Sequence, residues 1–423
     1  MTRSGRAWVV WAVGLSAYLV GVMHRSSFGV AGLQAAERFD ASPTALSGFV
    51  VLQLLVYALL QVPVGMMLDR FGARRLITAG ALTMATGQLV MALATELPVA
   101  IAARVLVGAG DALTFISVLS VIGAWFPARR IPLLTQLTGL LGQFGQILSA
   151  VPLAALLYGP GWTPAFVSAA ALGLAVAIAV VAVVRDRPDG APPPARGAPP
   201  REILHGLRSA WLEPGTRLGF YTHMGTQFSG TVFALLWGVP YLVVGHGWSA
   251  SAASGLLTLL VIVGAVAAPV LGELTARHPT RRSWIAIGVI VSTAVAWTAV
   301  LLVPPPAPHW LLVALAVVLS IGGPGSVVGF DFARTFNPDH RQGTAVGIVN
   351  QGGFYASLLV ALTVGMLIGH SGSGEYTPES FRIAWVVQYP VWAATLTGIL
   401  VARRKARRRA AARRSSPQVA PAA

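Results

Sequence analysis

Apolar residues fall in twelve long runs, separated by short stretches that hold nearly all of the chain's charge. The runs cover approximately 8–32, 45–68, 76–95, 99–125, 133–157, 164–184, 216–244, 251–272, 283–303, 310–334, 343–370 and 381–402. An α-helix needs about 20 apolar residues to cross a bilayer, so the pattern predicts an all-α integral membrane protein with twelve transmembrane helices. Runs longer than that imply tilt, or helix ends standing in the interfaces. Pro63, Pro152, Pro269 and Pro324 lie inside runs. In water they would read as breaks; inside a bundle, neighbouring helices satisfy the freed backbone groups, so they read as kinks. The basic start, Met1 to Arg6, leads into a run too long for a cleaved signal peptide and is read as the first span.

Arginine placement gives the direction. With the N-terminus inside, the cytoplasmic segments take Arg3 and Arg6, Arg70/Arg74/Arg75, Arg129/Arg130, Arg277/Arg281/Arg282, Arg334/Arg341, a basic linker and the run from Arg403. Only Arg38 and Arg382 fall outside. This asymmetry predicts a multi-pass protein of the bacterial plasma membrane with both termini cytoplasmic. Lys405 is the one lysine among 30 basic residues, which fits a GC-rich genome. The linker 185–215 contains Ala191-Pro-Pro-Pro194 and Pro199-Pro200 with interspersed charge, and reads as an extended, solvated connector. The expected organisation is a six-helix bundle over 1–184, the linker over 185–215, a second six-helix bundle over 216–402, and a basic cytoplasmic tail over 403–423 held to anionic lipid.

Composition narrows the class further. Hydrophobic residues make up 55% of the chain and charged residues 10%, against roughly 25% charged in soluble domains. A net charge of +16 would suggest nucleic acid in a soluble protein. Here the basic residues are confined to short segments without aromatic interleaving, so no nucleic-acid partner is expected. The chain has no cysteine, which excludes disulfides and thiolate metal sites. No P-loop, H-E-x-x-H pair or Ser/His/Asp cluster occurs in the loops. An enzyme, a cofactor, a metal or an obligatory protein partner is therefore not expected.

The loop between the second and third runs reads Gly65-Met-Met-Leu-Asp69-Arg70-Phe-Gly72-Ala-Arg74-Arg75. Gly65 permits close backbone approach, Asp69 and Arg70 end one helix, and Arg74 and Arg75 anchor the next among leaflet phosphates. The spacing G-x-x-x-D-R-x-G-x-R-R resembles the signature loop between helices two and three of the major facilitator superfamily. Gly272, Arg277, Arg281 and Arg282 repeat the spacing of Gly65, Arg70, Arg74 and Arg75, whereas Ala276 stands where the repeat would place an acid. Pro338 to Arg341 similarly echo Pro127 to Arg130. The resemblance implies two pseudo-symmetric six-helix bundles, the major facilitator fold, which alternate between inward- and outward-open forms. In that scheme Gly65, Asp69, Arg70, Gly72, Arg74 and Arg75 form a gating loop. Asp69 is expected to meet Arg129 or Arg130, or else the start of the eleventh span.

Three fully charged groups fall well inside spans: Arg25, Arg104 and Asp111. Each costs about 2.5–3.5 kcal/mol at a helix centre on the insertion scale, so each is a functional candidate by default. Gly14, Tyr18, Gly21 and Arg25 share one glycine-rich face, which points Arg25 inward. Arg25 and Arg104 could together clamp a carboxylate or phosphate; the plainer reading has each holding backbone carbonyls or pairing with Asp111. Arg104-Val-Leu-Val-Gly108-Ala-Gly110-Asp111-Ala resembles the superfamily's fourth-helix pattern R-x-x-x-G-x-G-x-A, which implies that Arg104 serves proton coupling or substrate handling. Asp111 shares a face with Arg104 and is the expected proton-sensitive carboxylate. His24-Arg25-Ser-Ser-Phe28-Gly-Val30-Ala31 resembles the first-helix pattern D-R-x-x-L-S-V-A of the anion:cation symporter branch, with His24 in place of the acid. That resemblance implies an anionic substrate held by Arg25. Among the inward amides, Gln143 beside Gly139 and Gly142 is the candidate cavity residue; His24, and His223 with Gln227, read first as packing residues.

Together these readings describe a secondary permease that takes up a small organic anion with protons. Proton-driven efflux of drug-like or metabolite compounds is the alternative, weakened by the absence of a Gly-Pro pair in the fifth span. A non-transporting sensor on the same scaffold is the third reading, disfavoured by the largely intact signature loop.

Overall fold

A computed structural model describes residues 3–40, 43–189, 203–369 and 377–415. Among these residues all regular structure is helical. Twelve helical segments are long and apolar enough to cross a membrane: Gly5–Phe28, Val51–Phe71, Ala73–Leu93, Leu97–Trp125, Ile131–Tyr158, Trp162–Val183, Pro214–Gly245, Ser251–Arg277, Arg282–Leu302, His309–Phe336, Asp339–Ile368 and Pro378–Arg409. They match the twelve apolar runs in number and order.

Several spans are segmented where the sequence interrupts the backbone ladder. The fifth passes through a wider π-type turn at Ser149–Leu153, around Pro152. The seventh has two such turns, Phe233–Trp237 and Tyr241–Gly245, flanking Gly238–Pro240. A proline removes one N–H and crowds the preceding turn, and the helix widens to absorb it. Pro63 and Pro269 are carried inside continuous helices. Pro324 sits in the first turn of Gly322–Phe336, where its missing N–H is one of the unpaired donors anyway. The fourth span divides at Leu113–Thr114 into Leu97–Ala112 and Phe115–Trp125.

The chain forms two compact units, Met1–Leu207 with Asp339–Gly347, and Arg208–Pro338 with Ile348–Ala423. In the first, the third span packs against the fourth and sixth, the second against the fourth, and the first against the fourth, fifth and sixth. The crossing of spans three and four is set by Gly80 and Gly110. A Cβ on Gly80 would lie 2.7 Å from the Gly110 carbonyl oxygen, and one on Gly110 2.6 Å from that of Gly80. Small residues at such a crossing let backbones touch, the main source of helix affinity where lipid is as apolar as leucine. In the second unit the seventh span packs against the tenth and twelfth. Its core is aromatic: Trp297 and Trp385 lie 4.5 Å apart, with Phe233, Tyr241 and Phe381 around them. The Trp297 indole donates to Ser229 Oγ at 2.9 Å, so the buried N–H is satisfied.

Two stretches differ from the sequence reading. Within the expected extended linker, Ile203–Leu212 is a helix. Ile203, Leu204, Leu207 and Trp211 recur at helical spacing after the last proline, the pattern of an amphipathic helix. Asp186 and Asp189, at the other end of that linker, are tied down by the Arg74 amide and by Arg6; residues 190–202 lie outside the described residues. The arginine-rich run from Arg403 continues the last helix, Gln388–Ser415, rather than starting a separate tail, and 416–423 lie outside the described residues.

Candidate functional site

The inward charges of the first unit meet where the first span crosses the fourth. Gly21 opens the contact: a Cβ there would stand 3.6 Å from Asp111 Oδ1 and 3.5 Å from Thr114 Oγ1. Arg25, one turn further on, donates from Nη1 to Asp111 Oδ2 at 3.1 Å. The Asp111 side chain is fully buried, whereas Arg25 keeps 23% of its side chain exposed. Arg25 also hydrogen-bonds Tyr18, two turns before it on the same face. Asp111 lies at the end of the segment Leu97–Ala112, where its carbonyl accepts from the amide and hydroxyl of Thr114 as the helix tightens and breaks. Its Oδ1 has no partner among the described residues. One carboxylate oxygen is therefore bonded and the other is idle, and the paired arginine remains partly exposed.

Arg104 is used differently. It is 1% exposed, and the structure does not bring it to Asp111. Its Nη2 donates to the Arg25 carbonyl at 2.7 Å and to Gln53 Oε1. Its Nη1 donates to the His24 carbonyl and to Ser27 Oγ, both at 3.3 Å, and the guanidinium lies 5.3 Å from the Phe28 ring centroid. Gly108 admits this arrangement, because a Cβ there would stand 2.7 Å from the Gln53 carbonyl oxygen; the second and fourth spans touch at that point. Spacing along the fourth span puts Arg104 and Asp111 on one face, but partners on the first and second spans claim the guanidinium first. The fork of Arg104 thus fixes the backbone that carries Arg25.

The remaining candidates separate. Gln143 is exposed and accepts from Gln146, on a different face from Gly142 and Gly145, which press on Tyr18 and the Leu19 carbonyl. His24 is fully buried and donates from Nε2 to the Ala169 carbonyl at 2.9 Å. It packs the first span to the sixth and turns away from the ion pair. His223 and Gln227, in the second unit, both lie against Gly353. Tyr18 was the residue to add to the site, and its position on the Arg25 face was the signal for it.

In the signature loop the carboxylate of Asp69 accepts three hydrogen bonds from the start of the eleventh span. These come from the Gly343 amide at 2.7 Å, the Thr344 amide at 2.7 Å and the Thr344 hydroxyl at 2.6 Å. Arg129 and Arg130 are exposed. Asp69 thus fills the place of a capping group for a helix N-terminus whose first amides have no intrahelical partner. Gly65 brings the helices close enough, since its Cβ would lie 2.3 Å from the Gly343 carbonyl oxygen. Gly72 turns the chain at φ 82°, a conformation that favours glycine. The amide of Arg74, two residues on, donates to Asp186 at 2.7 Å. Arg70 lies over Phe71, and Arg75 is exposed.

Comparison with known proteins places this geometry. The sequence profile of the Major Facilitator Superfamily matches residues 13–359 and 220–421. The probable galactarate/D-glucarate transporter GudP of Escherichia coli K12 is 20% identical over 391 residues, covering 82% of this chain and 84% of that protein. A putative tartrate transporter of Agrobacterium vitis is 25% identical over 310 residues, covering 66% and 68%. The solved proton:xylose symporter XylE, bound to 6-bromo-6-deoxy-D-glucose, superposes with a TM-score of 0.64 at 16% identity, covering 94% of this chain and 96% of that one. The fold, the signature loop and the profile match agree: this chain belongs to the Major Facilitator Superfamily and is a secondary transporter, not an enzyme.

Proposed function

We propose that the protein takes up a small organic anion together with protons, with Arg25 as the anchor of the substrate carboxylate and Asp111 as the proton-sensitive partner. The observation that carries this reading is the half-made ion pair: a buried carboxylate bonded through one oxygen to an arginine that keeps part of its side chain exposed. A guanidinium offers five donors in a planar fork and binds a carboxylate through two of them, so an incoming carboxylate competes directly with Asp111. Once Arg25 turns to the substrate, the ionised form of Asp111 is left buried without its counter-charge, which is strongly unfavourable. Asp111 then takes a proton, and anion binding and proton uptake become linked. Linkage is reciprocal, so a lower pH tightens anion binding by the same factor. Tyr18 holds the arginine in place during the exchange, and Arg104 holds the backbone beneath it.

The relatives' names support an anionic substrate: GudP is a probable galactarate/D-glucarate transporter, and the Agrobacterium protein a putative tartrate transporter. A hydroxylated sugar acid or short dicarboxylate fits an arginine anchor with phenol and amide neighbours. The proposed arrangement has both termini in the cytoplasm, and Asp69 latches the start of the eleventh span during the transport cycle.

The test is ligand-dependent thermal stabilisation of the purified chain, with galactarate, tartrate and xylose at pH 5.5 and 7.5. A ligand that binds only the folded form raises apparent stability by RT ln(1 + [L]/Kd). Stabilisation by the two acids but not by xylose, stronger at the lower pH, is expected. Arg25→Ala should weaken it at least about tenfold, and Asp111→Asn should remove its pH dependence. Stabilisation that survives Arg25→Ala undiminished would overturn the anchor; unchanged pH dependence in Asp111→Asn would move proton coupling elsewhere.

A further inference from the structure

The second unit contains a crevice of about 260 Å³ between the first turns of the seventh span and the last turns of the twelfth. It is smaller than the about 300–1,000 Å³ of pockets that bury a whole drug-sized ligand. Its walls are mostly apolar, and Tyr221 packs so closely on Gly398 that a Cβ there would lie 2.5 Å from its ring. From Ala394 to Lys405 the lining follows the twelfth span over twelve residues, a rise of about 16 Å. That is about half of a hydrocarbon core roughly 30 Å thick, the depth of one leaflet.

The charged end of the crevice is built from Arg217 and Lys405, and among the described residues no acidic one lines it. Lys405 is exposed and forms no hydrogen bond or ion pair among the described residues. Arg217 donates only its Nε, to the Trp211 carbonyl at 2.8 Å, with its guanidinium 5.6 Å from the Trp211 ring centroid. Both of its Nη groups lack partners among the described residues. Glu213, one turn before Arg217, is occupied by Arg409 at 3.2 Å. Two cations with idle donors thus stand at the mouth of an apolar slot one leaflet deep.

We propose that this crevice binds an anionic phospholipid, with the phosphate between Arg217 and Lys405 and an acyl chain along the apolar wall toward Ala394. A phosphoryl group suits both cations, and basic pockets between spans at the arginine-rich side are where such headgroups are held. The depth of the slot favours a lipid over a free phosphate ion, which would leave the apolar length unfilled. The site is independent of Arg25 and Asp111.

The test titrates the full chain in detergent with phosphatidylglycerol, phosphatidylcholine and inorganic phosphate, read by thermal shift and by intact-complex mass spectrometry. Phosphatidylglycerol should bind and stabilise, phosphatidylcholine much less, and inorganic phosphate should give no comparable shift. Lys405→Gln, a change at an exposed side chain, should weaken phosphatidylglycerol about fivefold, the effect of one interfacial cation. Ala394→Trp, which fills the acyl path at another exposed position, should weaken it without altering charge. Arg408→Gln, outside the crevice on the same helix, should leave it unchanged. Equal binding of both lipids overturns the proposal. A shift reproduced by inorganic phosphate would make the site one for free anions. Equal losses in Lys405→Gln and Arg408→Gln would reduce it to diffuse attraction by the basic helix.

Discussion

Arg104 and Arg25 enter one buried cluster from different helices, and the number of acceptors each finds decides what it does. Arg104 meets two carbonyls, a hydroxyl and an amide oxygen, with Nε alone left unpartnered. Lysine concentrates its donors at one point and cannot span that set. Arg104→Lys should therefore lower thermal stability by the equivalent of about 2–3 kcal/mol, since hydrogen bonds to charged groups are each worth about 1.5–3. Arg25→Lys should leave stability nearly unchanged and abolish stabilisation by acids. If Arg104→Lys instead folds normally and loses the ligand, Arg104 is a substrate residue after all. Some of this could be read from the chain: the spacing of Gly14, Tyr18, Gly21 and Arg25 fixes the face that Arg25 uses. What spacing cannot give is which arginine takes Asp111. That choice is made by the close approaches at Gly21 and Gly108, contacts between helices that one helix's own periodicity does not record.

At the scale of elements, the signature loop works as a set of helix ends. Asp69 supplies acceptors to two amides and a hydroxyl at the start of the eleventh span, and Asp186 does the same for the amide of Arg74 in the third. A carboxylate at a helix N-terminus also meets the positive end of the helix dipole. Asp69→Asn keeps one acceptor oxygen and loses the charge, so it should cost about 1 kcal/mol, in line with the loss of a cap. Its larger expected effect is on turnover, measured as uptake into proteoliposomes at unchanged membrane insertion; normal turnover would sink the latch. The motif announces this loop from sequence, and the start of the eleventh span was one of the two partners it left open for Asp69. The helix Ile203–Leu212 was missed for a different reason. The proline-rich segment before it dominates the composition of the linker and hides a short amphipathic repeat, which the structure shows as a helix.

For the whole molecule, the count and order of spans are legible because crossing a bilayer imposes a length and a hydropathy on every helix separately, with no need of tertiary contacts. Direction is a further inference, and it rests on arginine placement. The absence of cysteine makes it directly measurable, since any introduced cysteine is the only one to label. Thr95 and Thr280 are exposed positions at the ends of different spans. With the N-terminus inside, Thr95 follows the third span and must face outward, whereas Thr280 follows the eighth and must face the cytoplasm. A membrane-impermeant maleimide added to intact cells should therefore modify Thr95→Cys and spare Thr280→Cys until the membrane is opened. Positive loops stay inside because translocating arginine is unfavourable, so adding arginines beside Thr95 should erode the difference. The reverse labelling pattern would invert the molecule, placing the Arg217–Lys405 crevice in the outer leaflet and the signature loop outside the cell. Labelling of both sites in intact cells would mean that the chain inserts in two orientations, and transport measurements would then have to be made on oriented vesicles before uptake and efflux could be told apart.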